Sequence, residues 1–211
     1  MLVIDGSSGV DVRTRIAGLI ASLVEGGELV RAARALARMR AAAALLPEPQ
    51  RARAAVADLD RLSQTHVIPA TPAVLPSLDA ESRSHLIEFL GALGESVVPL
   101  LCDLLATEHR AAARCALERL TPEFPNAVLA FVRHPEPQVV RTCLELIAAS
   151  GHASCVPGVL PALRHADVGV RREALRTVTA LSGARAAEVL TQALPDPSAE
   201  EIGRASCRER V

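Results

Sequence analysis

Four arginines share one frame. Arg83, Arg114, Arg141 and Arg172 each stand three residues before a leucine and six before an aliphatic residue or phenylalanine: Leu86 and Phe89, Leu117 and Leu120, Leu144 and Ile147, Leu175 and Val178. A guanidinium is permanently charged and offers a planar fork of donors that fits carboxylate or phosphate. A column of them can tie successive helices together or line a groove for an anionic partner. The turn acids Glu136 and Asp167 are the expected counter-charges of this column. Exposed ion pairs contribute only about 0 to 1 kcal/mol, so removing a partner-binding arginine should change affinity and leave stability alone. A second set, Arg31, Arg34 and Arg38, falls at i, i+3 and i+7 and gives one basic stripe on a helix, with Arg40, Arg51 and Arg53 nearby. Such a stripe is ordinarily the solvated face of an amphipathic helix, and its sharper use is to hold an acidic protein or a phosphate backbone.

The other reactive side chains do not assemble into a centre. His134 and His165 occupy equivalent places and each follows an arginine. Equivalent residues on adjacent helices lie about 10 Å apart, whereas two nitrogens on one zinc lie roughly 3 to 4 Å apart. Turn-capping or solvent-facing histidines are therefore expected. The five cysteines, Cys102, Cys115, Cys143, Cys155 and Cys207, lack paired metal-type spacing and read as reduced thiols. Cys143 shares a column with Ala116 and Ala174, as a small core residue does. Gly6-Ser7-Ser8-Gly9 has neither the lysine of a phosphate loop nor the Gly-x-Ser-x-Gly elbow and reads as a flexible lead-in. No catalytic, cofactor-binding or metal-ligating residue is predicted, and the chain is expected not to be an enzyme.

The elements that carry these residues are helices. The arginines recur at intervals of 31, 27 and 31 residues, a period at which each helix pair buries its apolar stripe against its neighbours. Helices are predicted over about 11–24, 28–46 and 50–62. Regular helices follow over 83–93, 97–106, 108–120, 126–133, 137–149, 156–164, 168–181 and 184–194, the last a first helix whose second would lie beyond it. Pro69, Pro72 and Pro76 mark 63–76 as a joint between the N-terminal helices and the array, or equally as a short helix of a degenerate first repeat. Gly94, Gly151 and Gly183 mark the breaks after second helices. The division is an N-terminal helical segment over 1–68, a repeat array over 69–201, and a tail over 202–211.

Two units make the repeat explicit: Val128-Leu-Ala-Phe-Val-Arg-His-Pro-Glu-Pro-Gln-Val-Val-Arg-Thr-Cys-Leu144 and Val159-Leu-Pro-Ala-Leu-Arg-His-Ala-Asp-Val-Gly-Val-Arg-Arg-Glu-Ala-Leu175. This pattern resembles the short bacterial HEAT-like repeats of the phycobilisome-lyase type, from about Leu75 to Leu194. The resemblance implies an all-α, right-handed α-solenoid of antiparallel helix pairs whose arginines ladder between repeats. The period is shorter than the roughly 40 to 47 residues of ordinary HEAT repeats. The activities of related families find no residues here. Deoxyhypusine hydroxylases hold iron with His-Glu pairs, and none of the six histidines precedes a glutamate. Alkylpurine glycosylases stack damaged bases on aromatics, and this chain has three phenylalanines and no Trp or Tyr.

The tail, Ile202-Gly-Arg-Ala-Ser-Cys-Arg-Glu-Arg-Val211, resembles a translated sequencing adapter and not the repeat, so the array is expected to continue beyond Glu201 in a larger protein. All 23 basic residues are arginine, a usage that fits a GC-rich bacterial genome. The formal charge of −1 gives no global field to draw in nucleic acid or membrane. No apolar run approaches a membrane span, and a cytoplasmic location is expected. These features predict a non-catalytic scaffold for a protein partner, without cofactor, with nucleic acid disfavoured and with self-association through an uncapped C-terminal end. The alternative is a nucleic-acid-binding or enzyme-associated HEAT-like protein, of glycosylase or bilin-lyase type, whose chemistry lies outside this stretch.

Overall fold

The computed structural model describes residues 6–193, with side chains from residue 14 onward. The tail 202–211, with Cys207, lies outside the described residues. All regular structure among the described residues is helical, and the chain forms two compact units, Met1–Ala127 and Val128–Val211. The predicted division at 68/69 falls inside the first unit.

The first unit opens with α1 (Gly6–Glu25), α2 (Leu29–Ala44) and α3 (Pro49–Leu62). The expected lead-in Gly6–Gly9 is part of α1. Once the stripe behind it has nucleated a helix, extending it by a turn costs little. α2 buries Leu29, Ala32, Ala33, Leu36, Ala37 and Ala43, a stripe of period three to four. Helical turns then run through the expected joint: a widened π turn over Ser63–Val67, α4 (Ile68–Val74), and a 3₁₀ turn over Leu75–Ser77. Proline tolerates the first turn of a helix, where its missing N–H has no partner to lose, and Pro69 sits there in α4. The carbonyl its ring would strike, that of Thr65, lies in the widened turn. Pro72 lies inside α4 and Pro76 in the first turn of the 3₁₀ segment, so the helical path runs on past all three prolines.

α5 (Ala80–Gly91), α6 (Val98–Leu104) and α7 (Arg110–Leu120) complete this unit. Asp79 caps α5 by accepting from the Ser82 N–H at 2.7 Å. Close contact between α5 and α7 is possible at Gly91, where a Cβ would stand 3.0 Å from that of Ala116. The core here is built from leucine with alanine and valine between, among them Leu36, Leu86, Leu90, Leu101, Leu117, Ala32, Ala113, Val67 and Val98, all fully buried.

α8 (Pro125–Leu129) spans the boundary between the units. The second unit continues through a 3₁₀ turn over Ala130–Arg133, α9 (Pro137–Ser150), α10 (Val156–Val159), a second 3₁₀ turn over Leu160–Arg164, α11 (Val168–Ser182) and α12 (Ala186–Ala193). The first helix of each pair is thus a short α segment that tightens into 3₁₀, and the second helix is long and regular. α9 ends on Gly151, whose φ of 71° is left-handed and whose N–H reaches back to the Ala148 carbonyl at 3.3 Å. α9 and α11 pack side by side through Val140, Cys143, Leu144, Ile147, Val170, Ala174 and Val178, all fully buried. Thr177 links them directly: its hydroxyl lies 3.1 Å from the Leu144 carbonyl on α9 and 2.9 Å from that of Glu173 on its own helix.

Candidate interaction surface

The four framed arginines hold one register. Arg114, Arg141 and Arg172 are the fifth residues of α7, α9 and α11, and Arg83 is the fourth of α5. The leucine three residues on is fully buried at 86, 117 and 144, whereas Leu175 is 44% exposed.

Their partners differ. Arg83 Nη1 donates to Glu108 Oε1 at 3.0 Å, joining α5 to the turn before α7. Arg114 Nε donates to Glu118 Oε1 at 3.0 Å, one turn along its own helix. Arg141 is half-buried. Its Nη2 donates to Gln138 Oε1, its Nε is buried with no hydrogen-bond partner, and its Nη1 would stand 3.2 Å from a Cβ at Gly169 on α11. Arg172 is exposed and makes no ion pair among the described residues.

The expected pairing with Glu136 and Asp167 does not form. The Asp167 carboxylate caps α11 by accepting from the Val170 N–H at 2.8 Å, and Gln138 takes the Arg141 guanidinium. The residue that grips the turn before α11 is Arg171, which donates to the His165 and Ala166 carbonyls at 2.8 and 2.7 Å. The two repeat histidines cap turns as expected. His134 Nδ1 accepts from the Glu136 N–H at 3.1 Å, and His165 Nδ1 from the Asp167 N–H at 3.0 Å. Among the described residues no group of three or more His, Cys, Asp or Glu could hold a metal ion.

On α2, Arg31, Arg34 and Arg38 all lie on the exposed face. Arg31 Nη1 donates to Glu28 Oε2 at 2.8 Å, whereas Arg34 and Arg38 make no ion pair among the described residues. Arg40, two residues past the stripe, turns inward and pairs with Asp60 on α3. Its guanidinium lies over Gly94, leaving no room for a side chain there. Sequence reading placed Arg40 beside the stripe and missed this role, since twenty residues separate the partners and no local pattern links them.

The apolar surface is concentrated at two places. On α11, Val168 and Leu175 stand seven residues apart on one face, 57% and 44% exposed. In the first unit, Leu19, Leu45 and Leu46 are exposed, and Leu46 lines a groove of about 860 Å³ formed by α1, α2 and α3. Among the described residues no helix is long and apolar enough to cross a membrane.

Comparison with known families places HEAT repeats at residues 125–209. The match begins on the first residue of α8, takes in α9 to α12, and leaves Arg83 and Arg114 outside it. No curated protein matches the chain.

Proposed function

We propose that this chain is a non-catalytic protein-binding module, in which stacked helix pairs present the outer faces of their second helices to a partner. The supporting observation is the HEAT repeat match over α8 to α12, whose last long helix carries Val168, Arg172 and Leu175 exposed together. An apolar pair around an unpaired guanidinium suits recognition, with the apolar contacts supplying affinity and the arginine orientation. The finer reading is a scaffold or regulatory repeat within a larger bacterial protein, working in the cytoplasm.

The test is affinity capture with the immobilised chain, followed by titration of the purified partner against wild type and Arg172→Glu. The expected result is saturable, weakly salt-dependent binding that Arg172→Glu weakens while the melting temperature holds. Binding of a random DNA or RNA duplex whose affinity falls steeply between 50 and 200 mM salt would overturn the reading in favour of nucleic acid.

A further inference from the structure

The groove in the first unit has the form of a helix-binding site. Its floor is the C-terminal half of α2, through Met39, Ala42 and Ala43, with Leu46 just past the end of that helix. One wall is α3, through Ala55, Leu59 and Leu62, and the other is α1, through Ile16. The length is set by α3: from Arg51 to Leu62 it runs eleven residues, about 16 Å or three helical turns. A volume of about 860 Å³ would also admit a small ligand. The trough shape decides otherwise. Leu46 is 43% exposed and Ala54 lies open on the α3 wall, so the site is open along its flank and does not close over an occupant. Alanines along the floor and wall let another helix backbone approach closely.

Charge selects the occupant. Arg51 and Arg61 border the groove near opposite ends of α3, about 15 Å apart, and both side chains are 77% exposed. Each is balanced by a local carboxylate, Glu48 and Asp58. Between residues 14 and 62 there are eight arginines and five acids, a local charge of +3 in a chain whose total is −1. The exposed Arg34 and Arg38 add to this field without internal partners among the described residues.

We propose that the groove between α1 and α3 docks a three-turn amphipathic helix of a partner protein, with apolar anchors at i, i+3, i+4 and i+7 and acidic residues at both ends. The proposal rests on the protein-binding reading above and assigns that partner a shape and a charge.

The absence of Trp and Tyr provides a silent background for the test. The probe is a sixteen-residue helical peptide with leucines at those four positions, one central Trp, and paired glutamates at each end, titrated with the full chain and followed by Trp emission and anisotropy. We expect saturable binding with a blue shift. Replacing the four glutamates by lysine should weaken it about tenfold, the sum of two exposed ion pairs. Arg51→Glu with Arg61→Glu should reverse that preference. Ala54→Glu should abolish binding with an unchanged circular dichroism spectrum, since the site is an exposed helix position. Absence of saturable binding would overturn the proposal, as would equal binding of the glutamate and lysine peptides. A dimer that Ala54→Glu dissociates would assign the groove to a second copy, and displacement of the peptide by stoichiometric palmitate would assign it to a lipid. A chain that captures a partner through Arg172 but ignores the peptide loses the groove alone; one that does neither loses the protein-binding reading as well.

Discussion

Gly94→Ala should be among the most damaging single-methyl additions in the first unit. Gly94 has φ 85° and ψ −151°, a region open almost only to glycine, and a residue with a side chain held there costs about 1 to 3 kcal/mol. The added Cβ would also stand 2.6 Å from Cζ and 3.1 Å from Nε of Arg40. Arg40 must then swing off Asp60, a pair whose side chains are only 18% and 31% exposed. Weakening a partly buried, charge-assisted bond of this kind adds about 1 kcal/mol, for a total near 2 to 4 kcal/mol. At roughly 2 to 4 °C per kcal/mol for a chain of this length, the melting temperature should fall by about 4 to 16 °C. Urea unfolding of wild type, Gly94→Ala, Arg40→Ala and the double variant separates the two causes. In the Arg40→Ala background the obstacle is gone, so Gly94→Ala should cost only its backbone share, and the double variant should be less unstable than the sum by about 1 kcal/mol. A Gly94→Ala variant within about 0.5 kcal/mol of wild type refutes the reasoning. Strict additivity would show that Arg40 is not the obstacle.

Thr177→Val removes the hydroxyl link between α11 and α9 and should lower stability by about 0.5 to 1.5 kcal/mol, with Thr177→Ser restoring most of it in the same urea titration. The Ser82 N–H, and after it the Ser82 hydroxyl, hold the Asp79 carboxyl below the usual carboxylate range. A lowered folded value means stability present above the unfolded value of about 3.9 and lost as pH falls through the folded one, so the melting-temperature gap between wild type and Asp79→Ala should be full at neutral pH and close in acid. Burial pushes the Cys155 thiol up, against a weaker opposing hydrogen bond from Ser154, and Cys102 and Cys143 are also buried while Cys115 is exposed. In a Cys207→Ser background a disulfide reagent should therefore titrate one thiol in the native chain and the other three only in denaturant, and a second fast thiol would contradict this. Sedimentation velocity should show concentration-dependent association that Val168→Glu with Leu175→Glu abolishes; a wild-type chain monomeric at 100 μM, on the order of the weakest association worth calling specific, would sink it.

The repeat was legible because its signals are local. From α5 onward the predicted helices agree with the structure to within about three residues, and the three break-marking glycines all have positive φ: Gly94, Gly151 and Gly183. Cys143 is buried in the same column as Ala116 and Ala174. Over 63–76 the sequence leaves a joint and a short helix both open, because the effect of proline depends on where in a helical turn it falls; the structure has the helix, and at Pro69 the turn itself widens to receive it. The groove was invisible for a different reason. Its residues come from three helices, and no spacing along one chain segment records that their stripes leave a trough between them.

Arg141 and Arg172 show what a repeat frame can and cannot specify. Both are the fifth residue of a long second helix, each is followed three residues later by leucine, and each has the same column of small residues beside it. Yet Arg141 is half-buried, with its Nε desolvated and its guanidinium pressed toward Gly169, while Arg172 stands in solvent. The difference lies in what packs on top. The N-terminal turn of α11 overlies Arg141, and among the described residues no further second helix follows to overlie Arg172. The same contrast separates Leu144, fully buried, from Leu175, 44% exposed. Register fixes which way a side chain points; the next layer decides whether that direction is interior or surface. In a stacked array the surroundings of a residue are therefore set by its layer, and the covered α9 positions Arg141 and Leu144 have α11 equivalents that are exposed among the described residues.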